Sequence, residues 1–503
     1  MTTETIKNIT IVGGGSSGWI TAMYLQQLYN RSGGDVKIRL IESKDISTIG
    51  VGEATVHSIR FLFAAMGLDE NELIRETNAT LKTGIMFRNW MKPENGQTHE
   101  YFHPFEQQGP AGPLDNATTW ISATQSNQSF ASATSISSEL IKHEHCPKAK
   151  NSPPYKGIVP YGYHLDATLM GQFLKRKACE AGVEHIETNV THINTSDNRI
   201  ESIMTESGEY TADIYIDCTG FKGLLIEQVK KNNWQSFEEE LPCNKAVAIQ
   251  RRYPEGTPPK PYTVATALTN GWVWEIDLAS RQGTGYVYDG NRLTKQQAEQ
   301  ELLEHLGDEQ EIIRTVHLDM KIGCRKEFWV GNCIAIGLSG GFIEPLESTG
   351  LHLVNVGARL LATHLSSKNP PQSVRDSYNK TINGIYEDLR QFIILHYCLT
   401  DREDTEFWKH AKQTAKFADG LQEKIELWRH KTCEFMDLAG GYGTIFTDEN
   451  YRYILYGMDH TPCINLPSTE KELHNTLQRL QEQQKQAVKA SMTHSEFLKQ
   501  TAL

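Results

Sequence analysis

The chain has 503 residues, 39% of them hydrophobic and 22% charged, an ordinary globular balance that excludes a disordered or fibrous chain. Its formal net charge of -12 argues against nucleic acid or an anionic membrane as partner. Nine singly scattered cysteines, no apolar run long enough to span a bilayer and no secretory signal lead to the expectation of a cytoplasmic protein with reduced thiols.

The length suits about three average domains. Ile9-Thr10-Ile11-Val12 reads as a short strand that enters Gly13-Gly14-Gly15-Ser16-Ser17-Gly18, and helical sequence follows from Trp19. Gly13, Gly15 and Gly18 fill the G-x-G-x-x-G positions, where bare backbone permits a tight turn and close approach of a pyrophosphate to a helix N-terminus. A second strand, residues 36–41, ends in Glu42, at the spacing where an acid meets an adenosine ribose. A dinucleotide site is expected, for FAD or a nicotinamide.

Ile49-Gly50-Val51-Gly52-Glu53-Ala54-Thr55 predicts a glycine-punctuated loop, followed by a helix that Gly67 ends. Residues 80–87 alternate as one strand, with Leu81, Thr83, Ile85 and Phe87 on one face and Lys82, Gly84 and Met86 on the other. Lys82 is the one charge in that run, and a lone lysine is ordinarily a solvated group. Tyr101-Phe102-His103-Pro104-Phe105 is an aromatic cluster, and the polar residues 107–138 predict a long surface excursion. His143-Glu144-His145-Cys146 has metal-ligand residue types without a matching second cluster, so a surface loop is expected there and no metal site.

Asp166 is placed as the cap of an amphipathic helix that ends at Gly182, with Leu169, Phe173, Leu174 and Ala178 inside. Alternating strands follow over residues 183–216, with turns at Asp197-Asn198 and Ser207-Gly208. Asp217-Cys218-Thr219-Gly220 is a second strand entering a glycine turn. In Gly271-Trp272-Val273-Trp274-Glu275-Ile276-Asp277, alternation puts Trp272, Trp274 and Ile276 on one face, as core or as a wall beside a flat ligand. A capped helix is expected over residues 294–306.

Cys333-Ile334-Ala335-Ile336 predicts a buried strand that leads into Gly337-Leu338-Ser339-Gly340-Gly341-Phe342-Ile343-Glu344-Pro345-Leu346-Glu347-Ser348-Thr349-Gly350 and then a helix. This stretch is either a tight turn with solvated acids or a backbone approach to a flat or anionic ligand. Helices are expected over residues 373–397, 405–417 and 422–438. A tail helix starts at Thr469, with Glu472 completing a capping box and Leu473, Leu477 and Leu480 as its apolar stripe.

Taken together and in this order, Gly13-x-Gly15-x-x-Gly18-Trp19, the strap at residues 50–55, Asp217-Cys218-Thr219-Gly220-Phe221-x-Gly223, Trp272-x-Trp274-x-Ile276 and Glu344-Pro345-Leu346-Glu347-Ser348-Thr349-Gly350 resemble the flavin-dependent tryptophan halogenases over most of the chain. The resemblance implies an α/β fold with α+β elements. A Rossmann-like FAD-binding module of the flavin monooxygenase type would span residues 1–365, with substrate-side insertions at about 80–150 and 245–290. A mainly helical substrate-side module would span 366–503.

It also implies an enzyme that uses FAD, as FADH2 from a separate NAD(P)H-dependent flavin reductase, with O2 and chloride or bromide to make a hypohalous acid. Lys82 matches the lysine that holds the electrophile, Glu347 the acid that assists substitution, and Ser348 the residue that orients it. Thr349 and Gly350 match the halide site. Gly13, Gly15, Ser16, Ser17, Gly18, Glu42, Gly52, Glu53, Ala54 and Leu338 fall at cofactor-binding positions. His103, Phe105 and Phe446 fall at substrate positions.

Ile445-Phe446 stands where members specific for free tryptophan carry Phe-Trp, and Gly441 where they carry the acid that grips the ammonium. Glycine supplies no such ion pair. An electron-rich aromatic, indole or an indole derivative, is therefore favoured over free tryptophan. Asp277 and His57 stand where the family's motifs usually have proline. A homodimer is expected, and a flavin-dependent aromatic hydroxylase, of one or two components, is the alternative reading.

Overall fold

The computed structural model describes residues 4–46, 52–107, 109, 111–112, 114–123, 128–254, 256–307, 311–438, 445–464 and 470–501. Gly50 and Val51 of the strap, Gly441 and the Thr469 cap lie outside them. One framework is a six-stranded sheet in the order Trp329–Val330, Cys333–Ala335, Ile214–Asp217, Asn8–Val12, Lys37–Glu42, Glu184–Glu187. Its pairs are parallel apart from the edge hairpin formed by the first two. Ile9, Ile11, Ile38, Leu40, Ile214 and Ile216 are all buried, as expected of a parallel sheet covered on both faces. The helix Ser16–Asn30 leaves the first strand and packs against Ala167–Glu180 and Gly350–His364. The carboxyl ends of three strands, at Val12, Asp217 and Ala335, are thereby brought side by side.

A second, seven-stranded sheet has the order Ile312–Asp319, Lys245–Arg251, Gln282–Tyr288, Gly271–Asp277, Thr263–Ala267, Gly84–Arg88, Glu100–Pro104. All of its pairs are antiparallel except Thr263–Ala267 with Gly84–Arg88. A small third sheet is formed by Glu53–Ala54, Gly162–Leu165 and Thr80–Lys82.

Residues 80–87 are therefore not one strand. The chain leaves the small sheet at Lys82, which pairs with Gly162, and joins the large one at Gly84, with Thr83 bonded to Pro261 between them. A Cβ on Gly84 would meet the His103 carbonyl oxygen at 2.4 Å, so glycine permits the switch. Lys82 is itself fully buried, against the ordinary expectation for a lone lysine.

The helices Asp166 caps and Thr294 caps form as expected, as Ala167–Glu180 and Lys295–Leu306. Met170 is buried in the former, whereas Leu169 is only half-buried. The helix expected at 405–417 stops at Ala411 and resumes as a short turn, Thr414–Phe417. That expected at 422–438 is only Leu421–Leu427. There the Asp437 carboxylate accepts from Glu434 N, Trp428 Nε1 and Lys431 Nζ, a local bonding pattern that replaces helical turns.

The polar segment 107–138, in its described residues, is not a surface excursion. It contains the short helices Asn116–Ser122, Phe130–Thr134 and, at its end, Ile136–Lys142, and Phe130, Thr134, Ser135 and Ser137 are buried. The tail helix Glu470–Ala490 covers it, with Gln484 Nε2 donating to the Ser132 and Ser135 carbonyls at 3.1 and 2.9 Å. The following strand, Ser491–Thr493, pairs with His145–Ala149, so the latter half of the presumed loop at 143–146 is strand and Cys146 is buried. Among the described residues, no helix is long and apolar enough to cross a membrane.

Candidate active site

The glycine turn after the first strand has the conformation that bare backbone requires. Gly13 has φ +116°, and a Cβ there would lie 2.2 Å from the Cys218 carbonyl oxygen; one on Gly18 would lie 1.9 Å from that of Gly13. Gly15 faces open space and caps the helix Ser16–Asn30 with no side-chain bond and no acid in the first turn. The amides at Ser16, Ser17 and Gly18 are thus presented at a helix N-terminus suited to a pyrophosphate. Glu42 closes over Gly14, and Lys175 Nζ and His185 Nε2 hold its carboxylate at 2.6 and 2.7 Å. Leu338 lies in the turn Gly337–Ser339, where a Cβ on Gly337 would meet Ser17 Oγ at 2.2 Å. These bare turns and free amides fit FAD.

Glu53 and Ala54 form the edge strand of the small sheet, and burial pushes the Glu53 carboxyl up to about 7. A Cβ on Gly52 would be 3.6 Å from Ile276, so Gly52 rests on the tryptophan motif. Trp272, Trp274 and Ile276 are buried on one strand face, with the Trp274 indole lying over Gly285. Asp277 is buried and accepts from Lys260 N at 2.8 Å and Gln282 Nε2 at 2.6 Å, while its carbonyl accepts from Thr80 Oγ1 at 2.5 Å. It fastens the motif to the strand that carries Lys82. His57 stands against Phe105, ring centroids 5.9 Å apart, and burial, ahead of the charge of Arg60, draws it down to about 4.

Thr349 and Gly350 begin the 15-residue helix Gly350–His364; Thr349 makes no side-chain cap and Gly350 faces open space. Just before them Ser348 adopts φ +60°, a conformation that costs a non-glycine residue about 1 kcal/mol or more. That turn aims Ser348 Oγ at Lys82 Nζ, 2.7 Å away. Burial draws the lysine down to about 7, against the opposing charge of Glu347. Lys82 Nζ also lies 5.0 Å from the Phe105 ring centroid.

Glu347 is fully buried. Its carboxylate meets His103 Nδ1 at 3.0 and 3.1 Å and His396 Nε2 at 2.8 Å. Burial works to raise this carboxyl, but the two imidazoles outweigh it and hold it at about 2. His103 Nε2 bonds Asn450 Nδ2 at 3.0 Å, and the ring is flanked by Phe392, Phe446 and Tyr453. Phe446 stacks on Phe392 at 4.1 Å.

The structure thus brings Lys82, His103, Phe105, Glu347 and Ser348 together, with Phe446 against His103. His396, Asn450 and Phe392 escape sequence reasoning. His396 lies in the helix Gln372–Cys398 among apolar neighbours, where a lone histidine reads as core. Glu344, which carried no expected role, is a buried acid that accepts from Tyr397 Oη at 2.6 Å. Burial pushes it up to about 8 against the hydrogen bond from Tyr397.

A family model described as tryptophan halogenase matches residues 8–472. The chain belongs to the tryptophan halogenase family. It is 34% identical to tryptophan 6-halogenase SttH of Streptomyces toxytricini, over 85% of both chains. A solved tryptophan halogenase from Shewanella frigidimarina is 33% identical, with a TM-score of 0.91 over 99% of this chain and 98% of that one. The flavin-dependent halogenase BrvH of a Brevundimonas species is 29% identical, with a TM-score of 0.87 over 99% of each chain. This halogenase is an enzyme of mixed α/β fold, and membership in the family implies FAD and halide.

Proposed function

We propose that this protein is an FADH2-dependent halogenase that makes a hypohalous acid from O2 and chloride or bromide, and halogenates indole or an indole derivative in preference to free tryptophan. The observation that carries this reading is the buried pair of Lys82 Nζ and Ser348 Oγ at 2.7 Å, beside the carboxylate of Glu347. Bound FAD, reduced by a separate NAD(P)H-dependent flavin reductase, supplies the electrons. Gly13, Gly15, Ser16, Ser17, Gly18, Glu42, Gly52, Glu53, Ala54 and Leu338 hold the cofactor, and Thr349 and Gly350 hold halide at the helix N-terminus.

Burial draws Lys82 down to about 7, so a free amine is accessible near neutrality. Its lone pair takes the halogen from the hypohalous acid: the N–X bond forms, the O–X bond breaks, and an amine proton leaves with the oxygen as water. The aromatic ring then attacks the halogen. The N–X pair returns to nitrogen, and the ring proton passes to Glu347 and on to that nitrogen. His103, Phe105 and Phe446 orient the ring. Ile445-Phe446 offers no charge to a substrate ammonium, which supports the preference for indole.

Residues 1–365 form the FAD-binding module with its substrate-side insertions, and 366–503 the helical substrate-side module. The enzyme works in the cytoplasm as a homodimer. Purified protein given FADH2, O2, bromide and an equimolar mixture of indole and tryptophan is expected to yield a bromine isotope pattern mainly on indole. Lys82→Ala is expected to reoxidise flavin without product. Absence of halogenated product across an aromatic panel, with flavin turnover intact, overturns the reading; dominant bromotryptophan overturns the preference.

A further inference from the structure

Proton positions around Glu347 follow from groups that can each play one part. The Phe392 carbonyl only accepts, so His396, 2.8 Å away through Nδ1, carries a proton there. The Thr447 amide only donates, so the Asn450 atom 2.9 Å from it is the side-chain oxygen, and the amide nitrogen faces His103 Nε2 at 3.0 Å. His103 Nε2 is therefore an acceptor. With one donor nitrogen, His103 gives its Nδ1 proton to the Glu347 oxygens at 3.0 and 3.1 Å.

One contact is left, His396 Nε2 to Glu347 Oε1 at 2.8 Å. With Nδ1 already protonated, a neutral His396 would aim a lone pair at a carboxylate oxygen, placing two acceptors at hydrogen-bond distance. A proton lies between them. The carboxylate, which also accepts from His103, leaves that proton on the imidazole. Phe87, Trp90 and Phe392 enclose the His396 ring, with centroids 5.1, 6.3 and 5.1 Å away. Among the described residues, Glu347 is the charged group hydrogen-bonded to it. Around Glu347 itself stand His103, Lys82 and Tyr101, from the strands Glu100–Pro104 and Thr80–Lys82.

We propose that His396 is an imidazolium and a positioning residue, whose charge offsets that of Glu347 so that Lys82 can shed its proton and take the halogen. This inference rests on the halogenase reading. Glu347 favours the ammonium form of Lys82, and an ammonium has no lone pair with which to form the N–X bond. The Phe392 carbonyl, one helical turn earlier, fixes the ring so that its second N–H points at Oε1.

Two measurements test it. In the 15N-histidine spectrum of the FAD-loaded full chain at pH 7, one histidine is expected to carry protons on both ring nitrogens. His396→Gln, or His396→Asn as a second assignment route, removes that signal. A singly protonated His396 overturns the proposal, and the wild-type spectrum requires no variant to be stable. Product formed per FADH2 oxidised is then followed against pH.

In His396→Gln the Glu347 charge is no longer offset, so the rise of coupled halogenation is expected to move up by about one pH unit. That costs about fivefold at pH 7, approaching tenfold in more acidic buffer, and is recovered in alkaline buffer. Equal loss at every pH, or a shift to lower pH, overturns the proposal. If the wild type shows the doubly protonated histidine but makes no halogenated product, the halogenase reading falls while the proton assignment stands.

Discussion

Lys82→Met is expected to stabilise the fold while abolishing halogenation. The side chain is fully buried, and burial draws its amine from 10.5 to about 7 against the charge of Glu347. That difference of about 3.5 units corresponds to about 5 kcal/mol, an upper bound because buried sites relax and admit water. The folded value lies below the unfolded one, so between about pH 7 and 10.5 the unfolded chain binds the extra proton and stability rises with pH. The penalty is fully present below pH 7.

Methionine has similar volume and no charge, but it forfeits the 2.7 Å bond to Ser348 Oγ, worth about 1 kcal/mol. The net gain is expected at about 1–3 kcal/mol at pH 7 after discounting relaxation, shrinking towards zero near pH 10. Urea unfolding of the purified full chain at several pH values, followed by tryptophan fluorescence, measures it. A variant less stable than wild type at pH 7, or a gain independent of pH, refutes the reasoning.

Gly13→Ala places a Cβ 2.2 Å from the Cys218 carbonyl oxygen at φ +116°, and FAD affinity is expected to fall at least about tenfold, read by flavin fluorescence titration. Glu70 is buried and accepts from Lys148 Nζ, Tyr155 N, Tyr161 Oη and Tyr163 Oη at 2.7, 2.6, 2.5 and 2.6 Å. Glu70→Ala strands these donors and is expected to cost about 3–5 kcal/mol of unfolding free energy. Asp277→Ala unpairs Lys260 N and removes the 2.6 Å acceptor of Gln282 Nε2, for an expected loss of about 1–3 kcal/mol in denaturant unfolding, with Asp277→Asn in between.

Local chemistry made the cofactor side legible. A β-branched strand, glycines spaced for a tight turn and a helix start are neighbours in sequence, so residues 9–25 could be read without knowing what packs on them. The same holds for the capped helices at Ala167–Glu180 and Lys295–Leu306, whose caps and apolar stripes lie within a few residues of one another. Position 82 shows where this stops. Alternation described residues 80–87 as one strand, because a change of sheet at Thr83 leaves the apolar rhythm intact.

The polar segment 107–138 was misread for a related reason. Serines and threonines look solvated until a helix more than 300 residues away supplies Gln484 to bond their backbone.

By itself, then, the sequence determined the glycine turns, the helix caps and, through the order of five motifs, the family. Those depend on backbone conformation and short-range bonding. Tertiary structure alone decided the state of the proposed catalytic groups and their partners. Lys82, His103, Glu347, His396 and Asn450 come from five separate segments, and what each does depends on charges and donors within 3 Å that are remote in the chain. Burial supplies the energy that sets their protonation, and burial belongs to the whole fold.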